Sequence, residues 1–199
     1  MKVFYAIVCS IVRVFIWPLF PMGFRGRENI PEGAAIVCAN HSSYLDPVLA
    51  SFAFTARRNL RFMSKAELFR IPILGPIIRG VGAFPVSRGT SDVNAIRYSM
   101  QYLKQGEKIL MFPEGTRVSE DDALAVKTGA VRLALKLNVP VVPMYIPRSK
   151  HIFKRDYVII GKPYYPEKTD GAADYQELSD ELLYKIESLV PKNETGRIK

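Results

Sequence analysis

The sequence is poor in cysteine and histidine, with two of each in 199 residues. Cys9 and Cys38 both lie in apolar runs, which is typical of small core residues rather than of a disulfide pair. Two scattered histidines and two apolar cysteines make no convincing zinc site. The sequence also lacks a Gly-x-Ser-x-Gly elbow, a Walker loop and a His-Glu-x-x-His motif. These common catalytic and nucleotide-binding signatures therefore do not explain the chain.

Acidic side chains are in the minority, with 19 Asp and Glu against 28 Lys and Arg, so the formal net charge is +9. This balance indicates an anionic partner, which could be nucleic acid, anionic lipid or a phosphorylated substrate. Apolar residues make up 48% of the chain, which excludes disorder as a description of the whole. No internal repeat or linker divides the sequence, and its length suits one domain with a substantial core.

The first 20 residues are almost entirely apolar. No small-x-small cleavage site follows them, which argues against a cleaved signal peptide. The segment is long enough to span a membrane, but inserting Arg13 near the centre of the bilayer would cost about 2.5–3.5 kcal/mol. The alternatives are a helix in the membrane interface, with Trp17 at the headgroups, and a helix buried in the core. We favour membrane attachment and expect a hydrophobic membrane-associating segment at residues 1–22, followed by one domain at residues 23–199.

Short apolar strands alternate with helices through the rest of the chain. Residues 23–33 are rich in Gly and Pro and are interpreted as a connector, and residues 71–81 as a broken, partly exposed apolar element. This alternation predicts one α/β domain with a largely parallel central sheet flanked by helices, in addition to the N-terminal apolar helix. The predicted strands are residues 34–39, 60–63, 83–86, 108–112, 140–146 and, at the sheet edge, 157–161. The predicted helices are residues 47–54, 65–70, 91–103, 127–137 and 174–190.

Three of the predicted strands end abruptly in polar turns, at residues 40–46, 87–89 and 113–117. If the strands are parallel, these turns meet at one edge of the sheet, where open α/β sheets place their chemistry. An aspartate against one ring nitrogen would fix the tautomer of His41 and leave the other nitrogen as a general base. Taken alone, His41 and Asp46 are better explained as unrelated polar loop residues. Their coincidence with the other turns indicates a site.

Asp46 and His41 are five positions apart, which on one continuous helix would place them roughly 140° from each other. The pair therefore needs a turn, which Ser42 and Ser43 can supply. Because Pro47 follows Asp46, the pattern predicts that Asp46 caps the next helix and that Pro47 takes its first position.

The other two turns supply positive charge. Arg88 and Arg117, with the exposed backbone of Gly115, indicate an oxyanion or phosphate clamp, although either arginine alone would suit a surface salt bridge. Glu114 could pair with Arg117 or bind a substrate hydroxyl. Lys65 and Lys127 either add charge at the rim of the site or are ordinary solvated lysines.

At these residues the sequence resembles the glycerolipid acyltransferases, specifically the bacterial 1-acyl-sn-glycerol-3-phosphate (lysophosphatidate) acyltransferases. Asn-His-Ser-Ser-Tyr-Leu-Asp at residues 40–46 resembles the His-x4-Asp motif, and residues 82–88 resemble the second motif, whose arginine is a phosphate ligand. Phe-Pro-Glu-Gly-Thr-Arg at residues 112–117 matches the third motif. Residues 139–143 resemble the fourth, which is linked to acyl-donor binding. The resemblance runs from about residue 23 to residue 146.

The resemblance implies acyl transfer from acyl-ACP or acyl-CoA to the sn-2 hydroxyl of 1-acyl-sn-glycerol-3-phosphate, giving phosphatidic acid without a metal or other cofactor. It implies that His41 is the base, that Asp46 orients it, and that no covalent intermediate forms. The implied phosphate and glycerol ligands are Arg88, Glu114, Gly115, Thr116, Arg117, Lys65 and Lys127. The implied acyl-donor region is Pro140, Val141 and Val142.

The expected partners are lysophosphatidic acid, a carrier-protein or CoA thioester, and an anionic membrane at the cytoplasmic face of the cell, but not nucleic acid. Residues 71–81 would border an acyl groove or touch the bilayer, unless they serve ordinary packing. One alternative keeps the chemistry but uses glycerol-3-phosphate or another lysophospholipid as acceptor. The other is a non-catalytic module that binds anionic lipid or nucleic acid.

Overall fold

Strands and helices alternate along the chain in the computed structural model, which describes residues 2–54, 60–86, 92–114, 128–167 and 174–191. Within those ranges the strands are β1 (Met22–Arg25), β2 (Ala35–Ala39), β3 (Leu60–Lys65), β4 (Ala83–Val86), β5 (Lys108–Met111), β6 (Val141–Tyr145) and β7 (Asp156–Ile160). The α-helices are α1 (Lys2–Leu19), α2 (Asp46–Ala53), α3 (Leu74–Gly80), α4 (Val93–Lys104), α5 (Gly129–Leu137) and α6 (Tyr175–Glu187). Arg27–Asn29 and Ala66–Arg70 form short 3-10 helices, so the helix predicted at residues 65–70 is of that tighter type.

The described strands form one seven-stranded sheet in the order β1-β7-β6-β2-β5-β3-β4. Five neighbouring strands pair in parallel, in the order β6, β2, β5, β3 and β4. By contrast, β6 and β7 are antiparallel. The prediction of a largely parallel sheet flanked by helices is confirmed. Because β2 lies between β5 and β6, the segments that follow these three strands emerge side by side at one edge.

Central strand β2 is a continuous apolar run because both of its faces are buried. All five of its residues are buried, and successive side chains enter opposite layers of the core. Val37 and Ala39 pack in the layer with α2, while Ile36 and Cys38 pack in the layer with α5 and α6. A strand covered on both faces has no polar side to alternate with. Both cysteines are free, in agreement with the prediction that they are not a disulfide pair.

Two assignments at the far side of the sheet were wrong. Residues 23–33 were expected to be a connector, but Met22–Arg25 forms strand β1. The strand predicted at residues 157–161 is not at the edge, because β7 lies between β1 and β6. β1 has only four residues and includes Gly23, so it carries too little pattern to be recognised as a strand. The glycine is needed because a Cβ there would collide with the ring of Tyr157.

The apolar stretch at residues 71–81 is partly exposed, as predicted, but it is more regular than expected. Residues Leu74–Gly80 form α3, with Pro76 in the first turn, where a missing N–H costs no helical hydrogen bond. Ile73 precedes the helix at φ 66°, a strained conformation for a β-branched residue, and its side chain is 79% exposed. The chain therefore turns sharply before α3 and leaves apolar side chains in solvent.

The apolar N-terminal segment forms α1, which packs one side against the domain. Tyr5 is buried, and Val12 and Ile16 pack on the core cluster that includes α2. The opposite side is exposed and apolar; its residues are Phe4, Ile7, Ile11, Val14, Phe15 and Leu19. In the part of the chain that the structure describes, no helix combines the length and apolarity needed to cross a membrane. The exposed apolar side chains exclude a helix that is buried on all sides.

Candidate active site

The loop after β2 is anchored to the segment after β6 by an asparagine. Asn40 Nδ2 donates to the Ile146 carbonyl oxygen at 2.7 Å, and the Ile146 N–H donates to Asn40 Oδ1 at 2.8 Å. The side-chain amide thus continues the pairing of the two parallel strands by one more step. It fixes the position from which the next residue, His41, leaves the sheet.

His41 and Asp46 meet across the predicted turn. His41 Nδ1 lies 3.0 Å from Asp46 Oδ2, and the same oxygen accepts the backbone N–H groups of Ser42 and Ser43, each at 2.7 Å. An ionised carboxylate only accepts hydrogen bonds, so Nδ1 must carry the proton at this contact. The lone pair of the imidazole is then on Nε2, the nitrogen that can act as a base.

Asp46 does not cap its helix in the predicted way. It is the first residue of α2, behind Leu45, and its carboxylate accepts from N–H groups that precede it rather than from the helix. The carboxylate is turned back because His41 and the two serine amides lie on that side. Burial would raise the pKa of Asp46, but the bond from His41, the charge of Lys150 and the Ser43 N–H outweigh it and lower the pKa.

The imidazole ring is also held by an aromatic neighbour. The rings of His41 and Phe112 stack with centroids 4.0 Å apart and planes 18° apart. Phe112 follows β5, the strand beside β2, so adjacent strand ends supply the imidazole and the surface on which it rests. The stack restricts rotation of the ring while the contact with Asp46 sets its direction.

Glu114 is the second buried carboxylate of the site. Its Oε2 accepts the backbone N–H of His41 at 2.9 Å, and its Oε1 lies 3.4 Å from Arg148 Nη2. Burial outweighs these two partners and raises the pKa of Glu114. Its described contacts therefore tie the turn after β5 to the His41 loop. Arg117, one of the two partners considered for Glu114, lies outside the described residues.

Several other predicted ligands also fall outside the described residues: Arg88, Gly115, Thr116, Arg117 and Lys127. Lys65 is described and is the last residue of β3, at the same edge of the sheet as His41. Its side chain is half exposed, and its ammonium lies 3.8 Å from Glu67 Oε1. It stands at the rim, separated from β2 by β5.

The predicted acyl-donor residues do not lie at this edge. Val141 pairs with Ile36 and Val142 with Val37, at the beginning of β6, and all of residues 140–142 are buried. His41 lies beyond the other end of the strands, about 13–20 Å away along the sheet at 3.3 Å per residue. In this structure Pro140, Val141 and Val142 are core residues, and their link to acyl-donor binding stays a prediction.

Two cations after β6 were missed. Lys150 Nζ lies 2.7 Å from Asp46 Oδ1, and Arg148 faces Glu114. A signal for them was present, because residues 147–150 are a fourth polar turn after a parallel strand. No cluster of three or more His, Cys, Asp or Glu suited to a metal ion occurs within the described ranges.

Residues 22–147 match the sequence model of a family described as Acyltransferase. The chain belongs to this acyltransferase family. The matched range begins at β1 and ends just after β6, so it contains six of the seven described strands and the His41 loop.

Known members of the acyltransferase family are similar over most of this chain. A 1-acyl-sn-glycerol-3-phosphate acyltransferase of Bacillus subtilis (strain 168) is 34% identical over 143 residues, 69% of this chain and 70% of that protein. A chloroplastic 1-acyl-sn-glycerol-3-phosphate acyltransferase of Brassica napus is 30% identical over 175 residues, 81% of this chain. The chain spans about half the length of that plant relative.

The fold is also that of a solved acyltransferase. The crystal structure of the 1-acyl-sn-glycerophosphate (LPA) acyltransferase PlsC from Thermotoga maritima superposes with a TM-score of 0.68. It is 28% identical in sequence, and the match covers 93% of this chain and 79% of that one. The α/β architecture is therefore shared almost from end to end.

Proposed function

We propose that this protein transfers an acyl chain from a thioester, acyl-ACP or acyl-CoA, to the sn-2 hydroxyl of 1-acyl-sn-glycerol-3-phosphate, producing phosphatidic acid. The observation that carries the proposal is the contact of 3.0 Å between His41 Nδ1 and the buried Asp46 carboxylate. It leaves Nε2 of the imidazole as a base at the edge of the sheet. The names of the similar proteins supply the acceptor, and phosphatidic acid is the product of its acylation.

The reaction proceeds by direct attack of the acceptor. His41 Nε2 takes the proton of the sn-2 hydroxyl while its oxygen attacks the thioester carbonyl carbon. The tetrahedral intermediate collapses with cleavage of the C–S bond, and the imidazolium returns the proton to the leaving thiolate. Asp46 stabilises the charge that forms on the imidazole.

A covalent intermediate on the loop serines is not part of this mechanism. Ser42 Oγ donates to the Arg148 carbonyl oxygen at 3.2 Å and accepts from Lys150 Nζ at 3.0 Å. Ser43 Oγ accepts the Leu45 N–H at 3.2 Å. Both hydroxyls are thus engaged in holding the turn, which supports the hydroxyl of the acceptor as the attacking group.

The phosphate of the acceptor is held, in this proposal, by Arg88 and Arg117 with Lys65 and Lys127 at the rim. Gly115 and Thr116 contribute the backbone of the clamp, and Glu114 orients the glycerol. Support comes from the sheet, because β4 and β5 end at the same edge as β2 and the motif arginines follow them in sequence. Positioning of this kind can supply much of the rate enhancement.

We also propose that α1 lies in the surface of an anionic membrane, at the cytoplasmic face of the cell. Its outer face exposes an apolar row at Ile7, Ile11, Val14 and Phe15, which follows helical spacing. Arg13 stacks over Trp17 on the same helix, a pairing that suits the headgroup region. Lysines and arginines near such a surface add about 1 kcal/mol each.

The apolar surface continues toward the site. The Phe153 N–H donates to the Leu19 carbonyl oxygen at 2.8 Å, and Phe153 is 76% exposed. Since β7 is antiparallel to β6, the loop before β7 lies at the edge that carries His41. Ile73 follows β3 at that edge. This arrangement supports a membrane-bound enzyme that receives its lipid acceptor directly from the bilayer.

An acceptor and donor panel tests the function, with His41→Ala as the blank. We expect thiol release from an acyl thioester only when lysophosphatidate is present, and loss of turnover by about 10²-fold or more in the variant, with an unchanged circular dichroism spectrum. Near-wild-type turnover of His41→Ala would refute the base assignment. A preference for glycerol-3-phosphate or another lysophospholipid would show that the acceptor is different from the one proposed. Retention of oligonucleotides without thiol release would instead show a nucleic-acid-binding protein.

A further inference from the structure

The side chain of Lys150 is almost fully buried beside Asp46 and Ser42. Its ammonium lies 2.7 Å from Asp46 Oδ1, 3.0 Å from Ser42 Oγ and 2.9 Å from the Pro147 carbonyl oxygen, and its side chain is 6% exposed. Ser42 Oγ and the Pro147 carbonyl oxygen accept hydrogen bonds from the ammonium, and Asp46 Oδ1 is its ion-pair partner. Lysines are almost never buried this fully unless they are paired. The environment is therefore organised for a cation that is almost fully shielded from solvent.

The two oxygens of Asp46 have separate partners. Oδ2 is occupied by His41 Nδ1 and by the N–H groups of Ser42 and Ser43, whereas Oδ1 faces Lys150. The carboxylate itself is fully buried. Its negative charge is consequently balanced by the ammonium, and the imidazole does not need to be protonated to balance it.

Among the residues that the structure describes, four charged side chains contact His41 directly or through one of its partners. Asp46 approaches from α2, Glu114 from the turn after β5, and Arg148 and Lys150 from the segment after β6. Glu114 has Arg148 as its partner, and Asp46 has Lys150. Each carboxylate thus has one cation, and both cations come from residues 147–150.

We propose that Lys150 is a positioning residue that keeps His41 in its basic form. It acts through Asp46, because an uncompensated buried carboxylate would draw a proton onto the adjacent ring. A protonated imidazole cannot accept the proton of the acceptor hydroxyl. The kinetic consequence rests on the proposed function, in which His41 is the base.

The pH dependence of kcat/KM separates this role from a merely structural one. In Lys150→Met the acid limb should move to higher pH by about one unit, because the remaining Asp46 charge favours the imidazolium. Lys150→Arg keeps the charge, so its acid limb should stay at the wild-type pH even if turnover falls. Lys162→Met, at an exposed lysine, should match wild type. A folded Lys150→Met variant with the wild-type acid limb would overturn the proposal.

A second measurement does not depend on activity. The chain has two histidines, so ¹³C-labelled histidine gives two ring signals, which His151→Gln assigns. In Lys150→Met the His41 signal should take up its proton at higher pH than in wild type, and an unchanged titration would refute the proposal. If Lys150→Met does not fold, Lys150→Arg decides, because a shifted His41 titration despite the retained charge would contradict it. Absence of lysophosphatidate-dependent thiol release in wild type would refute only the proposed function.

Discussion

Replacing Asp46 with Asn removes one charge of a buried ion pair while nearly preserving the shape of the side chain. The backbone N–H groups of Ser42 and Ser43 both point at Oδ2, so the amide oxygen must take that position. The amide NH₂ then replaces Oδ1 and faces the ammonium of Lys150, which was 2.7 Å from an anionic oxygen. The amide NH₂ and the Lys150 ammonium are both hydrogen-bond donors, and the ammonium loses the negative charge that it was paired with.

The expected cost of this change is large. Removing one partner of a buried ion pair destabilises proteins by about 3–5 kcal/mol. For a chain of this length, 1 kcal/mol corresponds to about 2–4 °C, so the midpoint of thermal unfolding should fall by about 6–20 °C. Turnover should fall by about 10²-fold or more, because the charge that stabilises the imidazolium is lost although its hydrogen-bond acceptor remains.

A double-mutant cycle in urea identifies the source of the cost. The free energy of unfolding in urea is measured at neutral pH for wild type, Asp46→Asn, Lys150→Met and the double variant. The pair Asp46→Asn and Lys162→Met serves as the matched control. Because each single change leaves the other group unpaired, the double variant should lose about 1–3 kcal/mol less than the sum of the two. The control pair should be additive. Additivity within about 0.5 kcal/mol for Asp46 and Lys150 would refute the ion pair as the reason for the cost.

Three further changes address the anchor, the second carboxylate and the membrane surface. Asn40→Ala should lower the free energy of unfolding in urea by about 2–4 kcal/mol, since the Ile146 N–H and carbonyl lose buried partners; a loss within experimental error would contradict this. Burial raises the pKa of Glu114, so the folded state holds its proton more tightly and stability falls as pH rises through that pKa. Wild type should therefore lose stability relative to Glu114→Gln as pH rises above about 4, the ordinary pKa of a glutamate, and a constant difference would be the contrary result. Phe15→Asp should reduce co-sedimentation with anionic vesicles without altering the thermal midpoint, whereas equal binding would exclude α1 as the contact.

The strands that build the site were predictable because buried parallel strands are short continuous apolar runs. Residues 83–86 were assigned with the observed bounds, and residues 34–39 and 108–112 each differ from the observed strand by one residue. β1 was missed because a four-residue strand beside Gly and Pro has no such run. Its place in the sheet depends on pairing with β7, about 130 residues away in sequence, which no local pattern encodes.

Within the site, the contact of His41 with Asp46 was predictable because both residues lie in one turn and bracket a helix start. The direction of the Asp46 carboxylate was not, because capping preferences describe the average helix start. Here the Ser42 and Ser43 N–H groups and the His41 imidazole compete with the helix N–H groups for the Asp46 carboxylate, and they precede the helix. The carboxylate therefore turns away from the helix toward these three donors.

Lys150 was missed for a topological reason. The turn after β6 is about 100 residues from His41 in sequence, but β6 is the immediate neighbour of β2, so the two turns lie side by side. The polar turns after β2, β4 and β5 were predicted to form the site, whereas β6 was assigned a role only through residues 140–142. In the structure the amino end of β6 is core, and the segment after its carboxyl end carries the cations that pair with both buried carboxylates. In a parallel sheet the segment after each neighbour of the catalytic strand must therefore be considered, however far away it lies along the chain.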